Sequence, residues 1–299
     1  MNNQFHAIID GRGLLKVSGP DAGEFLQGLI SNDINLVSAE RTIYAALLTA
    51  QGKFLFDFFI SSLNGDLVLE CEHDRLADLM KKLTMYKLRA DVQLKDISGD
   101  WQVGVLWGDG VAASVGLDNE PGSAMAWSGG VAFVDPRLAG AGLRAVLPVG
   151  NAADLLADHG SSAGNTDDYD LQRLTLGLPD GSRDLILEKS ILLESGFDEL
   201  HGVDWKKGCY MGQELTARTK YRGLIKKRLV PVTVDGPLPE PGTPVMADGK
   251  EIGEVRSGRG GHALALMRLE HLDPDGPSSA PFAAGDAMIT PSKPDWADF

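Results

Sequence analysis

Cysteine is scarce in this sequence, which contains Cys71 and Cys209 and no other. Two cysteines exclude a disulfide framework and fall short of the four thiolates that hold a common iron–sulfur cluster. No apolar run approaches the ~20 residues that a membrane span needs. The first residues lack the basic and apolar regions of a signal peptide. We therefore expect a cytoplasmic protein with no membrane partner and no metal site of its own.

Positive charge is also in short supply, since 28 basic residues face 42 acidic ones and the net charge is −14. Such a chain repels polyanions, which argues against a general binder of nucleic acid or of anionic membranes. Residues 206–228 are the exception, with eight basic residues and one acid, a net charge of +7. This basic segment is either a solvated helix face or a surface for an anionic ligand, and its one-sidedness favours the ligand.

A chain of 299 residues with 43% hydrophobic side chains has room for two or three modules. Strand and helix patterns alternate as far as residue 225, and short strands follow in close succession from Arg228 onward. The predicted fold class is α+β. We expect open α/β sandwiches of the split βαβ kind in residues 1–225 and a small antiparallel barrel or sandwich in residues 226–299.

Local signals predict several elements within this plan. A helix is expected at about Ala22–Leu29, with a capping box from Asp21 to Glu24. The Gly-, Ala- and Ser-rich residues 108–130 are expected to form a loop. A very apolar strand, Phe54–Ile60, contains one carboxylate, Asp57. A carboxylate in that setting must be paired, protonated or facing a polar cavity, so Asp57 is either an ordinary hydrogen-bonded aspartate or a ligand group.

The stretch from Lys206 to Glu214 combines two lysines, Cys209 and two flanking glycines. A helix-compatible segment follows from Gln213 and ends near Gly223. Cys209 would then precede a helix N-terminus, where backbone N–H groups favour an anion, thiolate included. The alternative is a tight turn whose cysteine is simply a small residue.

This stretch resembles the K-G-C-Y-x-G-Q-E signature of the YgfZ family, folate-binding proteins related to the glycine-cleavage T-protein. All fixed positions match in Lys207-Gly208-Cys209-Tyr210-Met211-Gly212-Gln213-Glu214. Weaker similarity follows along most of the chain. It covers Val17-Ser18-Gly19-Pro20-Asp21-Ala22, Leu48-Thr49-Ala50-Gln51-Gly52-Lys53 with Asp57, Arg173-Leu174-Thr175-Leu176-Gly177-Leu178-Pro179 and Leu193-Glu194.

The resemblance implies a ring of two α/β lobes and one β-barrel, with tetrahydrofolate in a central channel. It also implies a role in assembling or maintaining iron–sulfur proteins, notably [4Fe–4S] enzymes that thiolate tRNA, with client or assembly proteins as partners. Cys209 would be a reactive thiol of unknown role. The residues expected to bind the folate are Asp57, Glu194, Lys207, Gly208, Tyr210, Gly212, Gln213, Glu214, Arg218 and Arg222.

One departure separates this chain from the T-protein aminomethyltransferases, which carry paired aspartates where this chain has Phe56-Asp57. The missing carboxylate and the cysteine motif make folate-dependent aminomethyl transfer the alternative function, and classical turnover is left open. A third hypothesis is a cysteine-nucleophile enzyme with His201 as its base.

Overall fold

The computed structural model describes residues 3–272 and 281–299. Contacts among these residues divide the chain into two compact units. Unit 1 is drawn from Met1–Leu48, Leu55–Tyr169 and His201–Met211, and unit 2 from Thr49–Phe54, Asp170–Leu200 and Gly212–Phe299. Each unit is therefore built from segments that are distant in sequence. The expected domain boundary at residue 226 stays a prediction.

The described residues form strands that are numbered here in chain order. They are β1 (Gln4–Ile8), β2 (Arg12–Ser18), β3 (Ile43–Leu48), β4 (Phe54–Leu63), β5 (Asp66–Glu72), β6 (Gln93–Asp96), β7 (Trp101–Gly108), β8 (Ala124–Trp127), β9 (Gly130–Val134), β10 (Leu143–Pro148), β11 (Ser162–Ala163), β12 (Lys227–Asp235), β13 (Pro244–Ala247), β14 (Lys250–Arg259), β15 (His262–Arg268), β16 (Phe282–Ala284) and β17 (Ala287–Pro291).

The same residues form α-helices between these strands. They are α1 (Ala22–Gln27), α2 (Leu76–Lys87), α3 (Val111–Ser114), α4 (Ala152–Ala157), α5 (Thr166–Thr175), α6 (Gly181–Asp184) and α7 (Gln213–Tyr221). No helix in the described ranges is both long and apolar enough to span a membrane.

One lobe of unit 1 is a five-stranded sheet in the order β3-β4-β5-β2-β6. Asn64 and Gly65 join β4 to β5 with φ of 53° and 86°, as a two-residue hairpin turn of the I′ kind requires. Helix α2 packs on this sheet through Leu76, Leu79 and Leu83, which recur at the helical period and are fully or almost fully buried. The core of this lobe thus follows directly from the apolar periodicity.

The other lobe of unit 1 is a six-stranded sheet in the order β11-β1-β7-β10-β9-β8. Helices α3 and α4 contribute Val111, Ala112 and Leu156 to its core. Two of its elements, α3 and β8, lie in residues 108–130, so the prediction of a loop there is wrong. The segment is poor in large side chains, but Trp127 and Ala124 are buried, and packing orders the segment.

The described strands of unit 2 form a closed barrel in the order β12-β15-β14-β13-β16-β17, with antiparallel pairs throughout. Its interior is filled by small and branched side chains such as Val230, Ala265 and Ile289. This confirms the predicted C-terminal antiparallel barrel and the α+β class.

The expected capping box on α1 is wrong. The helix begins at Ala22, but the side chain of its N-cap residue Asp21 makes no capping hydrogen bond. Asp21 instead accepts a hydrogen bond at 2.8 Å from the backbone N–H of Asp91, which lies 70 residues away. A tertiary partner has displaced the local one.

Candidate functional site

Cys209 lies on an exposed turn of unit 1. Gly208 precedes it with φ of 93°, and Gly212 follows with φ of 82°, a backbone region that other residues rarely adopt. The Asp204 carboxylate accepts a hydrogen bond from the backbone N–H of Lys207 at 3.0 Å, which bends the chain before Gly208. Helix α7 begins after Gly212, so the thiol lies shortly before a helix N-terminus, as the sequence predicts.

Lys207 tethers this turn to the last residue of α1 and to the chain that follows it. Its Nζ donates hydrogen bonds to the carbonyl oxygens of Gln27 (2.5 Å) and Ile30 (2.8 Å), and it lies 4.9 Å from the centre of the Tyr210 ring. Burial lowers the pKa of Lys207 to about 8, and the nearby Asp33 opposes that effect only in part. The structure thus gives this ammonium group a positioning role, and its contact with a cofactor stays a prediction.

Two buried polar side chains that the sequence argument missed hold the segment leading into the turn. Ser31 Oγ donates to the carbonyl of Gly202 at 2.6 Å, and Asn32 Nδ2 donates to the carbonyl of His201 at 2.7 Å. The sequence signal for them is a Ser-Asn pair directly after the apolar residues Leu29 and Ile30. In the described residues no hydrogen bond joins His201 to Cys209, so the hypothesis of a thiol–base pair gains no support here.

Asp57 is buried within β4, where the Tyr44 hydroxyl donates a hydrogen bond to its Oδ2 at 2.7 Å. Burial raises the pKa of Tyr44 well above its ordinary value, and the adjacent Asp57 carboxylate raises it further, so the hydroxyl remains a donor. The guanidinium of Arg137 stands over the Tyr44 ring at 5.4 Å. Asp57 is thus hydrogen-bonded through Oδ2, and its role as a ligand group stays a prediction. Tyr44 itself could have been found as a polar group in the fully buried strand β3.

A cavity of about 240 Å³ lies within unit 2. Its lining combines one cation, one anion and one amide: it consists of Ala50, Gln51, Glu214, Leu215 and Arg218. The hairpin turn that carries Gln51 packs directly on the first turn of α7. A Cβ atom on Gly52 would lie 2.6 Å from the carbonyl oxygen of Gly212 and 2.6 Å from Leu215 Cβ, so the packing requires glycine there. Binding pockets for whole small molecules usually enclose about 300–1,000 Å³, so this cavity suits part of a larger ligand.

Other predicted residues of unit 2 stand around the same elements. Gln213, Glu214 and Arg218 belong to α7, and Arg222 is its exposed C-cap. Glu194 is half-buried on a short turn. Its pKa is raised by burial and lowered in part by Lys227 and by Lys53, which lies on the Gln51 hairpin.

Some cations of the basic segment form ion pairs within unit 2, and others are exposed to solvent. Lys220 pairs with Asp198 at 2.7 Å, and the buried Arg228 pairs with Glu199 at 2.5 Å. These cations stabilise unit 2 and are engaged within it. Arg218 is exposed and lies on the cavity wall, and its contact with an anionic group stays a prediction.

The structure therefore brings the predicted residues together in three sets. In unit 1, Lys207, Gly208, Cys209 and Tyr210 share the tethered turn, while Asp57 has its own polar neighbours on the strands. In unit 2, Gln51, Glu214 and Arg218 share the cavity, with Glu194 beside the same hairpin. Their roles in binding stay predictions.

Comparison with known proteins gives matches to both ends of the chain. Residues 8–114 match the GCVT N-terminal domain, and residues 226–299 match the CAF17 C-terminal beta-barrel domain. The chain is also similar in fold to the glycine cleavage system aminomethyltransferase T of Bartonella henselae. The TM-score is 0.78 at 17% identity, covering 99% of this chain and 87% of the other. This likeness shows the shared fold.

Sequence relatives extend over nearly the whole chain. The chain is 35% identical to the iron–sulfur cluster assembly factor IBA57, mitochondrial, of Homo sapiens, over 96% of this chain and 84% of that protein. It is 34% identical to the mouse protein of the same name, with the same coverage. A homologue of that name in Mycosarcoma maydis is 34% identical over 76% of this chain and 56% of that protein.

These relatives correct the expected location. The prediction of a cytoplasmic protein is wrong by this comparison, because the relatives carry the word mitochondrial in their names. The prediction rested on scarce cysteine and on the first few residues. Scarce cysteine indicates a reducing environment and does not distinguish one reducing compartment from another.

The relatives also refine the family. The resemblance named the YgfZ branch of the folate-binding proteins related to the T-protein. The matches support the broader grouping, a GCVT-like domain joined to a CAF17-type barrel, and the similar full-length proteins bear the name IBA57. By its identity to these proteins and its coverage of their length, the chain belongs to the IBA57 family.

Proposed function

We propose that this protein assists the assembly or maintenance of iron–sulfur proteins and uses a reduced folate as its ligand. The observation that carries the proposal is the 35% identity, over 96% of the chain, to a protein named as an iron–sulfur cluster assembly factor. The exposed Cys209 is consistent with that role, since a thiolate is the protein ligand that iron–sulfur clusters use. Two cysteines, one of them buried, supply too few ligands for a resident cluster, so contact with a cluster would be shared or transient.

The chemistry of the residues present fits a reduced folate. In unit 1, the buried Asp57 carboxylate is an acceptor for the N–H groups on the edge of a pterin, and Tyr44 orients it. Unit 2 offers a candidate site of its own, where Arg218 and Gln51 line a cavity and offer donors to a carboxylate. A bound reduced folate would supply one-carbon or redox chemistry, while Asp57 would bind and orient it.

Replacing Asp57 by Ala should weaken binding of tetrahydrofolate. A buried hydrogen bond to a charged group contributes about 1.5–3 kcal/mol, so the Kd should rise by a factor of roughly 10 to 150. Isothermal titration calorimetry under anaerobic conditions measures this Kd. Asp66→Ala is the matched control, because Asp66 is a partly exposed carboxylate at the end of the same hairpin. Equal affinities for wild type and Asp57→Ala would remove Asp57 from the site.

Arg218 should set a preference for polyglutamylated folate. Each added glutamate brings a carboxylate, and an exposed guanidinium attracts it in a manner that salt screens. We expect triglutamyl tetrahydrofolate to bind more tightly than the monoglutamate at low ionic strength. The difference should shrink in 0.5 M salt and in Arg218→Ala. Arg268→Ala, a change at another exposed arginine, should preserve it. Equal affinities for the two folates at low salt would indicate that Arg218 is simply solvated.

We propose [4Fe–4S] enzymes as clients, including those that thiolate tRNA, as the resemblance to the YgfZ family implies. A strain that lacks the chain should lose activity of [4Fe–4S] enzymes, while enzymes without clusters keep theirs. Full retention of cluster-dependent activity would contradict the proposal.

Aminomethyl transfer is the second candidate, and the fold shared with the aminomethyltransferase favours it. Against it, Phe56 and Asp57 provide one carboxylate at the place where those transferases carry two. If deletion of the chain abolished glycine cleavage and spared iron–sulfur enzymes, this second function would replace the first.

A further inference from the structure

The C-terminal end of α2 presents apolar side chains to solvent on the outer face of unit 1. Met85 is 64% exposed and Leu88 is 89% exposed, the largest value among the exposed large hydrophobic residues of the described chain. Met85 lies in the last turn of α2 and Leu88 follows the helix directly as its C-cap residue, so the two residues stand close together along the chain. The buried face of the same helix, at Leu76, Leu79 and Leu83, is already occupied by the core. The exposed apolar side chains of Met85 and Leu88 are therefore not part of the core that stabilises unit 1.

Leu88 also has a backbone conformation that is costly for its type. Its φ is 46° and its ψ is −103°, outside the regions that residues with a Cβ usually occupy. Neighbouring contacts hold it there. Asp91 is fixed by Asp21, which accepts a hydrogen bond from its N–H, and by Gly19, whose Cα approaches so closely that a Cβ would lie 2.3 Å from the Asp91 carbonyl. Strain of this kind persists where the surrounding structure imposes it, and it often accompanies function.

Cations precede and follow these two apolar residues along the chain. Residues 79–90 contain four basic residues and no acid, in a chain whose net charge is −14. None of the four forms an ion pair within the described part of the chain: they are Lys81, Lys82, Lys87 and Arg89. An apolar centre with a charged rim is the usual anatomy of a protein–protein contact.

We infer that this end of α2 is a docking surface for a protein partner that presents an apolar patch bordered by acidic side chains. The cationic rim selects the sign of the partner's charge, and Met85 and Leu88 supply the buried contact. A membrane is the less suitable occupant, because four cations must act against the repulsion between a strongly acidic chain and anionic lipid. Under the proposed function, the partner would be an iron–sulfur client or assembly protein.

Binding of a defined probe tests the chemistry of this surface. The probe is a fluorescent helical peptide with leucines on one face and glutamates on both sides of them. Fluorescence anisotropy should show saturable binding that Arg89→Glu weakens by about tenfold and that salt reduces. Lys95→Glu, a charge reversal at another exposed lysine of unit 1, should leave the affinity unchanged. The same peptide with lysines in place of glutamates should not bind.

Leu88→Gly separates docking from folding. Glycine adopts positive φ without strain, so the melting temperature should not fall, whereas affinity for the acidic peptide should fall at least as far as in Arg89→Glu. Absence of saturable binding to the acidic peptide would overturn the inference. So would equal binding of the two peptides, or binding only to phosphatidylserine vesicles or to an RNA oligonucleotide.

A cellular measurement connects the surface to the proposed function. In a strain that lacks the chain, Leu88→Gly should restore iron–sulfur enzyme activity less well than wild type does, although the purified variant binds tetrahydrofolate normally. Full restoration by Leu88→Gly would contradict a docking role in this process. If wild type itself restored nothing, the proposed function would fail, and the peptide measurement would still decide whether the surface binds an acidic partner.

Discussion

Cys209→Ser should fold normally and fail to support iron–sulfur enzymes. The side chain is exposed, and replacements at exposed positions usually change the free energy of unfolding by no more than about 0.5 kcal/mol. We expect function to depend on sulfur, because serine oxygen is a poor nucleophile and a poor ligand for iron at neutral pH. We expect the melting temperature to stay within about 2 °C of wild type while the activity of [4Fe–4S] enzymes in a complemented strain falls to that of the deletion.

Thiol labelling provides the control, since the two cysteines lie in opposite environments. Cys71 is 1% exposed, and burial raises its pKa to about 12. At pH 7.5 it should react with iodoacetamide only as the protein unfolds. In a variant in which Cys71 is replaced and Cys209 is the remaining cysteine, iodoacetamide should label every molecule under native conditions. The reaction should be faster than that of a cysteine in an unstructured peptide.

Two outcomes would contradict a functional thiol. The first is full complementation by Cys209→Ser. The second is a variant that loses stability and regains function when its expression is raised, which would indicate that the cysteine serves packing. If Cys209 reacted no faster than the peptide cysteine, it would be an exposed thiol whose reactivity the turn does not increase.

Glu70→Gln should be among the most destabilising single changes in unit 1. Glu70 is 2% exposed and binds two arginines: Arg12 Nε donates to it at 3.0 Å, and Arg144 donates to it through both Nε and Nη2. Arg144 lies on the six-stranded sheet and Glu70 on the five-stranded sheet, so the carboxylate joins the two lobes. Removing its charge leaves buried guanidinium groups uncompensated, which usually costs about 3–5 kcal/mol.

The effect should depend on pH in a defined direction. Burial by itself would raise the pKa of Glu70, but Arg144 and Arg12 outweigh it, and the folded-state pKa lies below the ordinary value. The charged carboxylate therefore stabilises the fold at neutral pH. Its contribution is lost as the pH falls below about 4.5, where the unfolded state begins to bind the proton and the folded state does not. Urea unfolding measures this effect. The difference in free energy of unfolding between wild type and Glu70→Gln should be smaller at pH 4 than at pH 7.

Glu120→Gln is the matched control, because Glu120 is an exposed glutamate of the same unit. It should unfold at the wild-type urea concentration at both pH values. A Glu70→Gln variant within 1 kcal/mol of wild type at pH 7 would show that the two arginines find other partners or water. If the difference in free energy of unfolding were the same at pH 7 and pH 4, packing and not charge would determine the lost stability.

The prediction of the fold from sequence succeeded where structure is set by neighbours along the chain. The apolar period of α2, the Asn64-Gly65 turn and the close-spaced strands after Arg228 each depend on side-chain type over a few residues. The Cys209 turn belongs to this group as well, since two glycines and the start of α7 are local features. The predictions that failed, the Asp21 capping box and the loop at 108–130, are places where a distant residue or core packing replaced the local preference.

The sequence by itself thus determined most of the elements, the C-terminal barrel, the broader GCVT-like grouping and the cysteine turn, because period, turn residues and motif are properties of consecutive residues. Only the tertiary structure decided which polar groups meet. Tyr44 donates a hydrogen bond to Asp57. Arg144 donates to Glu70, which is 74 residues away in sequence, and Lys207 donates to Gln27, which is 180 residues away. It also decided that Leu88, apolar like its buried neighbours on α2, faces solvent. Burial and pairing depend on which surfaces the fold brings together. A buried charge is stable only beside its partner, and that partner is fixed by packing and not by distance along the chain.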